Sequence, residues 1–163
     1  MFRFERVGPE ADGILRNLYE HYVHDMSEWL GLDVRSDGSF GHDTSPLWQG
    51  DHAVYLARSG DALAGFGVVG SAERWLGDPT IRDVKDFFVL RRYRHQGLGE
   101  ALAAHLWDAF RAAWLVRVFT ANGPALSFWR RVVGRYTGGR YDESAVADAG
   151  RDWVRLRFDS RVR

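Results

Sequence analysis

Cysteine is absent from this chain of 163 residues, which excludes disulfide scaffolds, zinc ribbons and thiol nucleophiles and leaves the redox compartment open. Net charge is missing too. Basic and acidic side chains number 22 each, so a nucleic-acid partner held through counterion release is not expected. No apolar run nears the roughly 18 residues of a membrane span, and no signal-peptide core follows Met1, so a cytoplasmic protein without a membrane partner is expected. Lysine occurs once, at Lys85, with arginine as every other basic side chain; compositional bias explains that better than phosphate recognition. What is present is 45% hydrophobic and 14% aromatic residues, enough for one domain over 1–163 to bury about two-thirds of its unfolded surface.

Periodicity orders the chain as β-α-loop-β-β-β-α-β-α-β, with room for one more strand near the end. Phe2 to Val7 alternates as a strand; Pro9 then suits a helix start, and Ile14, Leu18, Tyr22, Met26 and Trp29 recur at helical spacing. Gly31 to Asp51 reads as a long irregular connection with a short helix near Leu47-Trp48. His52 to Arg58 and Ala62 to Ser71 flank the tight turn Ser59-Gly60-Asp61, and Ile81 to Leu90 makes the third strand of a meander. A helix with Leu98, Leu102, Leu106 and Phe110 on one face, a strand from Trp114 to Ala121, a helix after Asn122-Gly123-Pro124 and a closing strand from Asp152 to Phe158 complete the series.

The most informative unit is the strand, loop and helix from Asp83 to Phe110. A helix entered through Gly97 and Gly99 aims several free backbone N–H groups at one spot, where a phosphate is favoured by those donors and by the helix dipole. Arg94 adds charge. A plain helix-entry turn is the commoner meaning of Gly-x-Gly, so context decides. There is no Gly-Lys-Ser/Thr of a nucleotide P-loop, and the loop has two of the three glycines of a dinucleotide fingerprint. Its place, after three or four strands, is also wrong for a dinucleotide fold.

Three blocks, Asp86-Phe87-Phe88-Val89, Arg94-His95-Gln96-Gly97-Leu98-Gly99 and Asn122-Gly123-Pro124-Ala125-Leu126-Ser127-Phe128-Trp129, resemble the GNAT superfamily of acyl-CoA-dependent N-acyltransferases. The match is best over Ile81 to Val133, and the first helix is similar to a little-characterised bacterial branch of acetyltransferases. The resemblance implies an α/β (α+β) GNAT fold: a mixed, mostly antiparallel, twisted sheet of six or seven strands, helices on both faces, splayed between the fourth and fifth strands. It implies acetyl-CoA as co-substrate without a metal, held by Phe87, Phe88, Val89, the loop Arg94, His95, Gln96, Gly97, Leu98, Gly99, Glu100, and Asn122, Ala125 and Phe128. The implied activity is acetyl transfer to a primary amine of a small molecule or peptide by direct attack in a ternary complex.

The residues that would do the chemistry are harder to single out. An alkylammonium with a pKa of about 10 must lose a proton before it attacks, and Asp83 and Asp86 are the candidate bases or acceptor-binding acids, either of which could instead merely pair with an arginine. A two-residue period puts Asp83, Lys85, Phe87 and Val89 on one strand face and Val84, Asp86, Phe88 and Leu90 on the other, unless a bulge intervenes. Trp129 stands where the family's tyrosine is usual and has no acidic proton, which makes Tyr136 a candidate substitute acid, or equally a packed residue whose hydroxyl reaches solvent. Lys85 disfavours a polyamine acceptor. Asp25 and Glu28, at the end of the first helix, could attract a cationic amine, and Trp48 in the long loop could stack on it. A metal held by His21, His24, Asp25 and Glu28 is a poorer reading, since such clusters are usually solvated. The alternating arginines 151, 155, 157, 161 and 163 on the last strand and tail suggest a solvated edge strand protected by charge, one that could also pair in a homodimer. A non-catalytic acyl-CoA-binding or regulatory module is the alternative function.

Overall fold

The computed structural model describes residues 1–162; Arg163, the last of the alternating arginines, lies outside them. The elements run β1 (Phe2–Val7), a 3₁₀ turn (Pro9–Ala11), α1 (Asp12–Leu30), a 3₁₀ turn (Ser45–Trp48), β2 (Ala53–Ser59), β3 (Ala62–Ser71), α2 (Glu73–Leu76), β4 (Arg82–Val89), a 3₁₀ turn (Arg91–Tyr93), α3 (Leu98–Ala109), β5 (Ala113–Phe119), α4 (Gly123–Thr137), β6 (Asp142–Asp148) and β7 (Arg151–Asp159). Seven strands pair in the order β1-β2-β3-β4-β5-β7-β6. Every pairing is antiparallel except β4 with β5, so the splayed, mostly antiparallel sheet expected from the resemblance is what the chain forms.

Strand alternation divides the core into two layers. On one face Leu15, Leu18 and Tyr19 of α1 pack against Val54, Leu56, Phe66, Val68 and Phe88. On the other, α3 contributes Leu98, Leu102, Leu106 and Trp107, and α4 contributes Trp129, Val132 and Val133, over Val84, Val89, Val116, Leu156 and Phe158. The 3.6-residue period of each helix turns one apolar stripe to the sheet. Gly65 shows how tightly the central strands approach: a Cβ there would lie 2.1 Å from the Phe88 carbonyl oxygen.

Two features depart from the sequence reading. The last strand is not at an edge; β7 lies between β5 and β6, and the charged β6 takes the edge. A tight turn at Ala149 and Gly150, both with positive φ, folds β6 onto β7, and β6 is too polar to announce itself by alternation. The arginines of β7 therefore alternate with buried Val154, Leu156 and Phe158 because an interior strand has one buried face here. The short α2, a single turn, carries no legible period. Among the described residues no helix is long and apolar enough to cross a membrane.

Candidate active site

The strands β4 and β5 are joined only at Arg82, Val84 and the residue between them, opposite Trp114 to Val116. Beyond Val84 they part. Lys85 is an extra residue in β4, since Val69 pairs with Val84 and Val68 with Asp86, and the bulge re-aims the rest of the strand. The Leu90 N–H donates to the Ala64 carbonyl of β3 at 2.8 Å. By alternation, the main chains of Asp86 and Phe88 also face β3, and those of Phe87 and Val89 face the gap. Phe88 is thus spent, main chain on β3 and side chain in the α1 core, and offers nothing to a ligand in the cleft. Phe87 and the Val89 N–H present an open strand edge, the Val89 carbonyl being taken by Arg94 Nε.

That edge leads into the glycine loop. The first bond of α3 runs from Ala101 N–H to the Gly97 carbonyl at 3.0 Å, and among the described residues the amides of 95–100 meet no acceptor. Gly97 precedes the helix at φ +86°, where a side chain would be strained, and a Cβ there would meet nothing within 4 Å. Gly99 serves packing instead: a Cβ would lie 3.2 Å from Phe128 Cζ and 3.6 Å from Val89 Cγ2. Six unspent donors at a helix entrance, with open space beside Gly97, suit an anion. His95 and Gln96 are exposed, Gln96 Nε2 holding the Arg92 carbonyl at 2.7 Å, while Glu100 pairs with Arg135 at 3.0 Å.

Arg94 braces the loop from behind. Its Nε donates to the Val89 carbonyl at 2.7 Å and its Nη2 pairs with Asp25 of α1, which also takes Arg91 Nη2 at 2.9 Å. Asp25 is therefore not the free acceptor-attracting acid the sequence suggested; two guanidiniums already hold it. Burial pushes its carboxyl up, but the bonds and charge of Arg94 and Arg91 outweigh that and keep it below the ordinary carboxylate range. The metal reading of the α1 cluster loses the same carboxylate. Glu28 remains exposed.

On the α1 face of the splay lie both candidate aspartates. The bulge overturns the strict alternation expected for β4: Phe87 packs with Phe128 and Trp129 on the α3–α4 face, and Asp83 and Asp86 share the opposite one. Asp83 is 3% exposed and grips Arg117 of β5 in a fork, 3.1 Å to Nε and 2.7 Å to Nη2. Burial raises its carboxyl, which Arg117 only partly offsets. A carboxylate locked in that fork is a poor proton shuttle. Asp86 is half-buried and accepts the Tyr19 hydroxyl at 2.8 Å; burial and the Asp86 charge keep the Tyr19 and Tyr22 phenols protonated. Tyr22 also hydrogen-bonds Asp86, but among the described residues no guanidinium locks this carboxylate as Arg117 locks Asp83.

Two other candidates fall away from the cleft. Tyr136 lies two turns beyond Trp129 on α4, roughly 10 Å further along the axis, with its hydroxyl on Asp108 at 2.8 Å and its ring against Trp107. Trp48 donates to Asp12 at 2.6 Å, at the start of α1, roughly 20 Å along that helix from Asp25. Asn122 acts as the α4 cap, its Oδ1 accepting from Ala125 N–H at 3.1 Å, and its Nδ2 is 3.8 Å from Met26 Sδ of α1. Sequence reasoning missed Tyr19, Tyr22 and Arg117 as neighbours of the aspartates. Tyr22 was visible only as part of an apolar stripe, and Arg117 only as a polar break in the β5 run.

The acetyltransferase (GNAT) family matches over residues 15–134. No curated protein sequence matches the chain. Solved structures similar to it include the aminoglycoside acetyltransferase AAC(6')-Ib in complex with coenzyme A, at TM-score 0.71 and 14% identity over 98% of this chain and 95% of that one. An N-acetyltransferase from Staphylococcus aureus Mu50 superposes at 0.70 with 10% identity over 98% and 99%. The ribosomal-protein-S18-alanine N-acetyltransferase from Escherichia coli does so at 0.63 with 15% identity over 100% and 96%. At such identities the likeness is one of fold.

Proposed function

The chain belongs to the acetyltransferase (GNAT) family, and from that premise we propose that residues 1–163 form one domain that transfers an acetyl group from acetyl-CoA to a primary amine of a small molecule or peptide, by direct attack in a ternary complex. The observation that carries this reading is the row of unspent amides over 95–100 beside the open edge of β4. A diphosphate needs many donors at one place, and a pantetheine arm needs an extended backbone to lie along; the loop and the splay offer both.

When bound, acetyl-CoA supplies the thioester carbonyl that the amine attacks and the sulfur that departs. The amides of 95–100 and the α3 dipole bind the diphosphate, with Arg94 and Asp25 fixing the loop that presents them. Phe87 and Val89 orient the arm through main-chain bonds, and a backbone N–H held rigid at the splay is a donor suited to a developing oxyanion. Phe128 and Trp129 exclude water from the α3–α4 side. Asp86, directly or through one water, takes the ammonium proton. With an indole where a phenol would stand, no side chain of this site is assigned to protonate the departing sulfur, and solvent does so.

Calorimetry with CoA, followed by thiol release from acetyl-CoA across an amine library, tests the proposal. Binding and turnover of at least one amine are expected, with no radiolabel retained on denatured protein after preincubation with labelled acetyl-CoA. CoA binding without thiol release from any amine would refute catalysis and leave a binding module.

A further inference from the structure

Resting on that reading, we propose that the acceptor is a small amine bearing its own carboxylate. The acceptor side of the splay is the α1 face, bounded by Asp86 and Tyr22 on one wall and by β5 and β7 on the other. The second wall is cationic and aromatic. Arg117 spends Nε and one N–H of Nη2 on Asp83; among the described residues its Nη1 and second Nη2 hydrogen meet no acceptor. Its guanidinium lies 4.3 Å from the Trp75 ring and 6.0 Å from that of Trp153, a stack that holds the plane in place.

Directly opposite Arg117 in the β5–β7 register stands Arg155. It is half-buried, and among the described residues it has no carboxylate partner; its one bond is a long one, Nη1 to the Trp75 carbonyl at 3.4 Å. Among the described residues, two donors on this wall, Trp153 Nε1 and Arg155 Nε, are shut from solvent and meet no protein acceptor. From the bulge, Lys85 adds an exposed ammonium to the same face, its stem passing beside Gly70. Next to the splay the charges on this face are Lys85, Arg117 and Arg155 against Asp83 and Asp86; further along the wall Arg157 acts on Asp78 and Arg74 pairs with Asp148. Once Asp83 is matched with Arg117, Asp86 remains for an ammonium and Arg155 for an anion, with Lys85, which leans toward β3, adding positive charge from the other side of β4. A polycation meets repulsion there, and a neutral amine leaves Arg155 uncompensated. A zwitterion satisfies both walls, and the planar fork geometry favours carboxylate.

The test uses the full chain with acetyl-CoA and three probe sets: the standard L-amino acids, their carboxamides and the corresponding decarboxylated amines. Thiol release should favour one or more amino acids over their carboxamides by about tenfold or more in kcat/KM. Arg155→Gln should shrink that ratio by about tenfold, through KM for the amino acid, and Lys85→Gln, at an exposed position where folding is not at stake, should shrink it in the same direction. Carboxamides or decarboxylated amines used as well as the amino acids would overturn the inference while leaving acetyl transfer intact. No thiol release with any amine would overturn both.

Discussion

Replacing Gly97 by glutamate attacks the glycine loop at the one position where a side chain enters open space. Two effects are separable. The backbone at φ +86° costs any L-residue about 1–2 kcal/mol of folding stability. The new carboxylate adds repulsion: against two negative charges at about 5 Å it amounts to ~2 kcal/mol in water and ~7 kcal/mol at an effective dielectric of 20. The loop is exposed, so the lower value applies, which corresponds to roughly thirtyfold in CoA affinity. Gly97→Ala carries the strain without the charge and serves as the control. Calorimetry with CoA on both variants, each checked by thermal melting, should show the alanine protein within a few-fold of the parent and the glutamate protein at least tenfold weaker. A folded Gly97→Glu protein that binds CoA as tightly as the alanine variant would refute the anion site.

Asp25→Asn should lower the thermal midpoint, losing ~1–2 kcal/mol with the bonds to Arg91 and Arg94, and should raise KM for acetyl-CoA by loosening the loop. Because the folded Asp25 carboxyl lies below its unfolded value of 3.8, its contribution is present in full above that pH and fades as pH falls through the depressed value; melting curves from pH 6 to 3 should show parent and variant converging at the acid end. Asp83→Asn strands a buried Arg117 and should cost ~3 kcal/mol or more of stability, whereas Asp86→Asn should lower kcat by about 100-fold with little change in melting; the reverse pattern in the two variants would exchange their roles. Trp129→Phe should keep kcat within a few-fold, as no proton is taken from the indole, and steady-state rates of the folded variant decide it.

The strands, the helix starts and the glycine loop were legible because each has a local cause: Pro9 opens the first helical turn, Gly97 needs its positive φ, and the apolar periods of α1, α3 and α4 show which face is buried. The partners of charged groups were not, since they depend on which strands become neighbours. Nothing local says that Asp83 meets Arg117, 34 residues away, or that Asp25 meets Arg94, 69 away. The bulge at Lys85 is the sharpest case. One extra residue in β4 brought two aspartates to the same face after strict alternation had put them on opposite ones. Trp48 and Tyr136 misled for a similar reason, as their place in the chain gave no hint of the distance along α1 and α4 that separates them from the cleft.

The strand order has a consequence for synthesis. One flank of β5 is hydrogen-bonded to a segment that emerges from the ribosome only after α4 and β6, so until residues 151–159 are made a nascent chain carries an apolar strand with a bare row of amides and carbonyls. This half of the sheet closes last, when β7 pairs onto the bare edge of β5 and carries β6, which it alone holds, to the outside. A pause in translation just before Arg151 would prolong the interval in which that strand can stick to another chain.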